Sequence, residues 1–385
     1  MKRVLSRALA LGVLACSIWL SPVFAADQPA PSAPAPAGIA SDSEGNVYVS
    51  DYALDRIVKF GPDGSVLGQW GTSGIAPGQF SGPFGVAVDT TNSIFVVDQL
   101  NNRVQRFAPD GTLLSAWGTA GAGPGDLRTP FGVAVSNGRV YVADFGNDRV
   151  QVFGFDGSLI SSFGSRGSGD GQFQRPADVA VGQDGTLFVT DHFNDRVERF
   201  SSDGHYQAQL GTLPAASVNQ AAVASTGTPT PPGTLTATSV PATPSPSSVA
   251  TVTATSTSTA GPSPSPTVGA TSIATQAVTA TPPATPTFAI APDAQVRRPE
   301  GVAVDRDGDL WVADYGRDRV VKLSPDGRLL QSLGSRGSGP GEFVGPKGVA
   351  VDPLSGHLYV TDTGNGRIQR LAPDGTPEAS WPMPQ

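Results

Sequence analysis

Six aspartate–arginine pairs, each five residues apart, are the first groups in this sequence whose type and spacing could do chemistry. They are Asp51/Arg56, Asp98/Arg103, Asp144/Arg149, Asp191/Arg196, Asp314/Arg319 and Asp362/Arg367. Such a pair can brace a turn, the carboxylate accepting backbone N–H groups and the guanidinium bridging to it. Acid–base catalysis needs one pair, whereas six equivalent pairs serve the scaffold. Residues that break the pattern are better candidates. Asp178 stands where Gly85, Gly132, Gly301 and Gly348 stand in other units, and His192 and Phe193 follow the fourth aspartate. Asp178 and His192 are therefore placed to approach each other as a proton-moving pair, or simply as a solvated pair on a rim.

Metal and nucleophile chemistry find little support. The three histidines, His192, His205 and His357, fall at three different repeat positions, which does not suit a tetrahedral zinc site. Asp305, Asp307 and Asp309 hint at a calcium loop, but a downstream bidentate Glu is lacking and the segment reads as a hairpin turn. The Gly-rich joints carry no Gly-Lys-Ser/Thr, and there is no Gly-x-Ser-x-Gly elbow. Cys16 is the only cysteine. No cofactor and no metal are expected.

The marker aspartates are spaced 47, 46, 47, 123 and 48 residues apart, so one unit is followed by an insertion. Each unit holds four short strand signals. In the fifth they are Gly301 to Asp305, Leu310 to Asp314, Arg319 to Leu323 and Leu329 to Leu333, separated by turns such as Asp307-Gly308 and Pro325-Asp326-Gly327. Four antiparallel strands per unit of about 47 residues is the spacing of a propeller blade. The expected fold is all-β, a six-bladed β-propeller of four-stranded antiparallel blades. Every blade is contiguous in sequence, so the ring should close by packing of blade 1 on blade 6, without strand exchange.

The boundaries follow. Residues 1–25 read as a signal peptide, with Lys2, Arg3 and Arg7 before an apolar run and Val23-Phe24-Ala25 before the cleavage point. A lipoprotein anchored through Cys16 is the rival. Residues 26–37 form a Pro/Ala tether, 38–211 blades 1 to 4, 295–381 blades 5 and 6, and 382–385 a tail. Residues 212–294 form a Thr/Pro/Ser/Ala-rich insertion, expected to be disordered because it cannot bury a core. Its ends should meet, making Leu210 and Val296 near neighbours. A secreted or envelope-exposed protein with no transmembrane span in its mature form is expected. Formal net charge is −8, and −11 without the three leader cations. An acidic chain gains no counterion-release affinity for phosphate backbones, so nucleic acid is not an expected partner.

The segment "PFGVAVDTTNSIFVVDQLNNRVQRFAPDGTLLSAWG" and its five siblings resemble NHL repeats, including the joint "GSRGSGPGEF" between blades. The resemblance implies a propeller that binds proteins or RNA, with some relatives being enzymes. Lyases of this type that process amidated peptides carry a zinc held by several histidines, which this chain does not supply.

Strand polarity gathers one set of variable residues on a single face. Phe84, Phe131, Glu300 and Lys347 begin first strands. Tyr52, Gln99, Phe145, His192, Phe193, Tyr315 and Arg317 come from loops between second and third strands. Asp178 lies at the channel, and Arg128, Arg166, Arg175 and Arg336 come from joints. An aromatic-lined mouth with scattered charges suits a protein, peptide or glycan. The expected function is a non-enzymatic extracytoplasmic binding or scaffold module. The alternative is a propeller lyase or lactonase using Asp178 and Glu300 with a divalent ion, and RNA binding is third.

Overall fold

The computed structural model describes residues 33–211 and 295–385. The leader, residues 26–32 of the tether and the insertion at 212–294 lie outside the described residues. Among the described residues no helix is long and apolar enough to cross a membrane.

Six four-stranded antiparallel sheets make the ring, each from consecutive strands. Blade 1, for example, holds Pro36–Ser41, Val47–Asp51, Arg56–Phe60 and Val66–Trp70. The first strands of neighbouring blades touch one another around the centre, while the fourth strands are the exposed outer edge. Side chains alternate between the two faces of a strand, and a blade has a neighbour on both faces. Second strands such as Val47–Asp51, Ile94–Asp98 and Leu310–Asp314 are therefore buried throughout, and their sequences are apolar runs rather than alternations. Tyr48 packs toward blade 2 with Ile57, Phe80, Ile94 and Phe107. Val47 and Val49 pack toward blade 6 with Tyr359, Ile368 and Trp381. The other four blade junctions each hold a cluster of the same kind.

The aspartate–arginine pairs stitch blades as well as turns. Each Asp is fully buried. One carboxylate oxygen accepts the arginine Nε–H, at 2.7 Å in Asp98, Asp314 and Asp362. The other accepts the backbone N–H of the joint residue leading into the same blade, as Asp98 does from Ser81 and Asp144 from Arg128. The guanidinium then donates to carbonyls of that joint, Arg103 to Ile75, Ala76 and Gln79. Four residues beyond each of the first five markers stands Asp55, Asn102, Asp148, Asp195 or Asp318, in left-handed backbone at φ 51–55°. Asp and Asn tolerate that conformation better than most residues. Each accepts the N–H of the next joint, as Asp195 does from Arg298 at 2.7 Å.

The ring closes as expected, without strand exchange, but both expected ends of the propeller move outward. The first strand begins at Pro36 rather than Gly38. Pro34 to Ala37, read as tether, are buried, and Ala35 donates its N–H to Asp51 at 2.9 Å. Residues 382–385, read as a tail, take the place that a joint fills elsewhere. Met383 is 3% exposed in the cluster between blades 6 and 1, its N–H bonds the Gly366 carbonyl, and Arg56 donates to the Pro384 carbonyl. At the insertion, Val296 donates to the Gly211 carbonyl at 2.8 Å, and Leu210 and Val296 share one core cluster. Blades 4 and 5 thus pack directly.

Candidate functional site

The first strands approach so closely that most carry glycine. A Cβ on Gly85 would lie 2.5 Å from the Phe131 carbonyl oxygen, and one on Gly348 equally close to that of Ala37. Blade 4 departs from this. Asp178 projects into the narrow centre, where Oδ1 accepts the Val179 N–H at 2.9 Å and Oδ2 the Val302 N–H of blade 5 at 3.1 Å. Burial pushes its pKa up to about 7, with Glu300 adding to the rise against the two N–H groups. The channel holds about 30 Å³, room for about one water.

Above it the channel opens into a mouth of about 270 Å³. Its walls include Tyr52, Phe84, Phe131 and Tyr315, with Gln99, Arg298, Glu300, Asp318, Arg336 and Lys347 between them. The aromatic side is continuous. Tyr52 meets Phe84 edge-on at 6.2 Å, Phe84 lies 4.4 Å from Phe131, and Phe131 stacks on Phe145 at 3.9 Å. Cations sit over these rings: Lys347 over Phe84 at 5.2 Å, Arg298 over Tyr315 at 5.4 Å and Arg175 over Phe145 at 5.2 Å. Each such contact contributes about 0.5–1 kcal/mol where exposed. Two buried polar atoms at the mouth have no protein partner, Glu300 Oε2 and Gln99 Nε2, in residues 6% and 5% exposed. A buried polar group without a partner costs about 1–3 kcal/mol, so these two atoms mark where a ligand would gain most.

The expected Asp178–His192 pair does not form. Asp178 spends both oxygens on backbone N–H groups. His192 instead turns to blade 5, with Nδ1 3.3 Å from the Pro299 carbonyl and 3.5 Å from Glu300 Oε1. Burial holds its pKa below the usual histidine range, against the pull of Glu300. The neutral ring suits both neighbours: Nδ1–H faces the Pro299 carbonyl, and Nε2 faces Arg298 Nε at 3.5 Å.

Of the other expected site residues, Tyr52, Phe84, Phe131, Glu300, Tyr315 and Lys347 line the mouth. Phe145 lies behind Phe131 and is 5% exposed, hence core rather than contact surface. Phe193 is 40% exposed on the far side of His192. Arg317 is half-buried beside Asp314 and does not line the mouth. Arg298 and Asp318 do line it and were not singled out by sequence. The signal for Arg298 was available: it precedes the blade proline, where blades 2 and 6 carry Gly82 and Gly345. Asp305, Asp307 and Asp309 do converge on the opposite face. Lys322 Nζ lies 2.9 Å from Asp305 and 3.0 Å from Asp309, and the Asp305 carboxylate also accepts turn N–H groups, as a hairpin would arrange them.

Fold and site together define a β-propeller with a charged, aromatic-walled mouth on one face. Three of its repeats match the NHL repeat description, at residues 127–153, 296–323 and 343–371, in blades 3, 5 and 6. Among solved structures the chain is similar to a streptogramin B lyase, at 13% identity and TM-score 0.52, covering 93% of this chain and 86% of that one. It is also similar to a catalytically inactive virginiamycin B lyase from Staphylococcus aureus with quinupristin, at 14% identity and TM-score 0.50, covering 91% and 84%. Hydrazine synthase of Kuenenia stuttgartiensis matches at 12% identity and TM-score 0.50, covering 89% and 96%. At these identities the likeness is one of fold.

Proposed function

We propose that this protein is an extracytoplasmic NHL-repeat recognition module that captures a protein, peptide or glycan at the mouth of its propeller. The observation that carries this reading is the pair of unpartnered buried atoms, Glu300 Oε2 and Gln99 Nε2, in a mouth of about 270 Å³ walled by rings and cations. The marker aspartates and their arginines repeat the same hydrogen bonds from blade to blade, whereas the residues that line the mouth vary. A lyase or lactonase using Asp178 and Glu300 with a divalent ion is less favoured, because both Asp178 oxygens already accept backbone N–H groups.

The test compares two sets of variants against a panel of peptides and oligosaccharides by biolayer interferometry. Tyr52→Ala with Tyr315→Ala removes half-exposed rings of the mouth and should abolish binding with little change in melting temperature. Trp117→Ala, in the packing between blades 2 and 3, should cost about 3–5 kcal/mol yet leave binding intact at low temperature. Binding that survives loss of both tyrosines would refute the reading.

A further inference from the structure

Resting on that reading, we infer that the mouth takes an acidic sugar residue, a uronate whose hydroxyls meet Glu300 and Gln99 and whose carboxylate meets Arg298 and Lys347. Glu300 Oε2 is an acceptor that lacks a donor, and Gln99 Nε2 is a donor that lacks an acceptor, both buried at one mouth. A hydroxyl can donate to the first and accept from the second, and a sugar ring presents several hydroxyls from one small rigid body.

Charge narrows the class further. Arg298, Arg336 and Lys347 border the mouth against Glu300 and Asp318. Asp318 is taken by Arg336 at 3.1 Å, and the neutral His192 beside Glu300 adds no charge. Cations outnumber carboxylates three to two in that lining, so the mouth favours an anionic ligand over an ammonium. A guanidinium is well shaped for a carboxylate.

A peptide's apolar anchor fits less well. The faces it would need are partly taken, Phe84 by Lys347 and Phe131, Phe131 by Phe145, and Tyr315 by Arg298. What the mouth leaves open is hydrogen-bonding edge. The channel beneath, at about 30 Å³, is too narrow for a chain to thread, so the sugar sits at a chain end or alone.

The experiment titrates the full-length protein with trigalacturonate, maltotriose and a peptide panel by isothermal calorimetry. In parallel, the side-chain amide of Gln99 is followed by NMR in unsubstituted protein, which keeps a readout should a variant fail to fold. The expected result is trigalacturonate binding at least about tenfold tighter than maltotriose, a shift of the Gln99 amide, and about tenfold weakening in Glu300→Gln and in Arg298→Gln. Maltotriose bound as tightly as trigalacturonate would overturn the acidic-sugar assignment. An unmoved Gln99 amide, or a folded Glu300→Gln that binds as before, would overturn the placement. Peptide binding that depends on Tyr52 and Tyr315, with no sugar bound, would overturn this inference and leave the recognition reading standing. Failure of every panel member would remove both.

Discussion

The guanidinium of Arg56 donates to the backbone carbonyl of Pro384, 328 residues away. In other blades the equivalent arginine reaches the joint that enters its own blade, so residues 382–385 do for blade 1 what a joint does elsewhere. Gly366 belongs to the same adjustment. It stands where other blades place an Asp or Asn, and its carbonyl accepts the Met383 N–H. Met383→Ala should therefore cost about 2–5 kcal/mol, as for a core methionine, measured by urea unfolding. A change within experimental error would mean that the closure rests elsewhere.

The Val296 N–H donates to the Gly211 carbonyl, so the described residues on either side of 212–294 meet at the blade 4–5 junction. Replacing those residues by the joint sequence "GSRGSGPGEF" should give a folded propeller of equal or greater stability, since loop-closure cost rises only slowly with loop length. Circular dichroism and a thermal melt check this. A replacement variant that fails to fold would place the segment within the core.

Glu198 provides a pH-dependent prediction. Gln105, Gln151 and Gln369 occupy its repeat position, and each donates Nε2–H to the marker aspartate and to a joint carbonyl. Glu198 is fully buried, with Oε2 unpartnered, and burial raises its pKa to about 8 despite Arg196 at 3.1 Å. A carboxyl raised in the folded state favours folding while protonated. Its contribution is full below the ordinary glutamate range and is lost as pH rises through about 8. Glu198→Gln should thus gain on the order of 1–3 kcal/mol over wild type at pH 9 and nothing at pH 4. Melting temperatures across that range decide it, and a gain independent of pH would refute the assignment.

Arg175 and Arg298 sit at φ 63° and 49°, where blades 2 and 6 have Gly82 and Gly345 at 60° and 57°. Left-handed backbone costs a side-chain-bearing residue about 1–2 kcal/mol, part of which glycine returns as greater freedom when unfolded. Arg298→Gly is expected to raise stability by about 0.5–1 kcal/mol while weakening ligand binding about tenfold, read by denaturant unfolding and calorimetry on one preparation. A destabilised Arg298→Gly would show that the contacts to Tyr315 and His192 outweigh the backbone strain.

Much of the architecture could be read from local patterns. The apolar second strands, the recurring Asp–Arg pair and the Asp-Gly turns each act within one blade or across one junction. Repetition made them legible six times over, and the blade count and the contiguity of blades followed. Of the varied residues gathered on one face, eight line the mouth.

What only the tertiary structure decided is which varied residues meet. Asp178 pairs in register with Thr190, so its side chain enters the channel and finds the Val302 N–H. In blade 5 the ladder skips from Pro299 to Val302, and the intervening Glu300 reaches the mouth, where His192 of blade 4 meets it. A bulge of this kind redirects a side chain without changing the hydrophobic pattern that announces the strand. His192 and Glu300 also belong to neighbouring blades separated by the insertion. Periodicity places a residue within its own sheet. The contact between one sheet's loop and the next sheet's inner strand depends on how the blades rotate and close about the channel, and so does the desolvation that leaves Glu300 Oε2 without a partner.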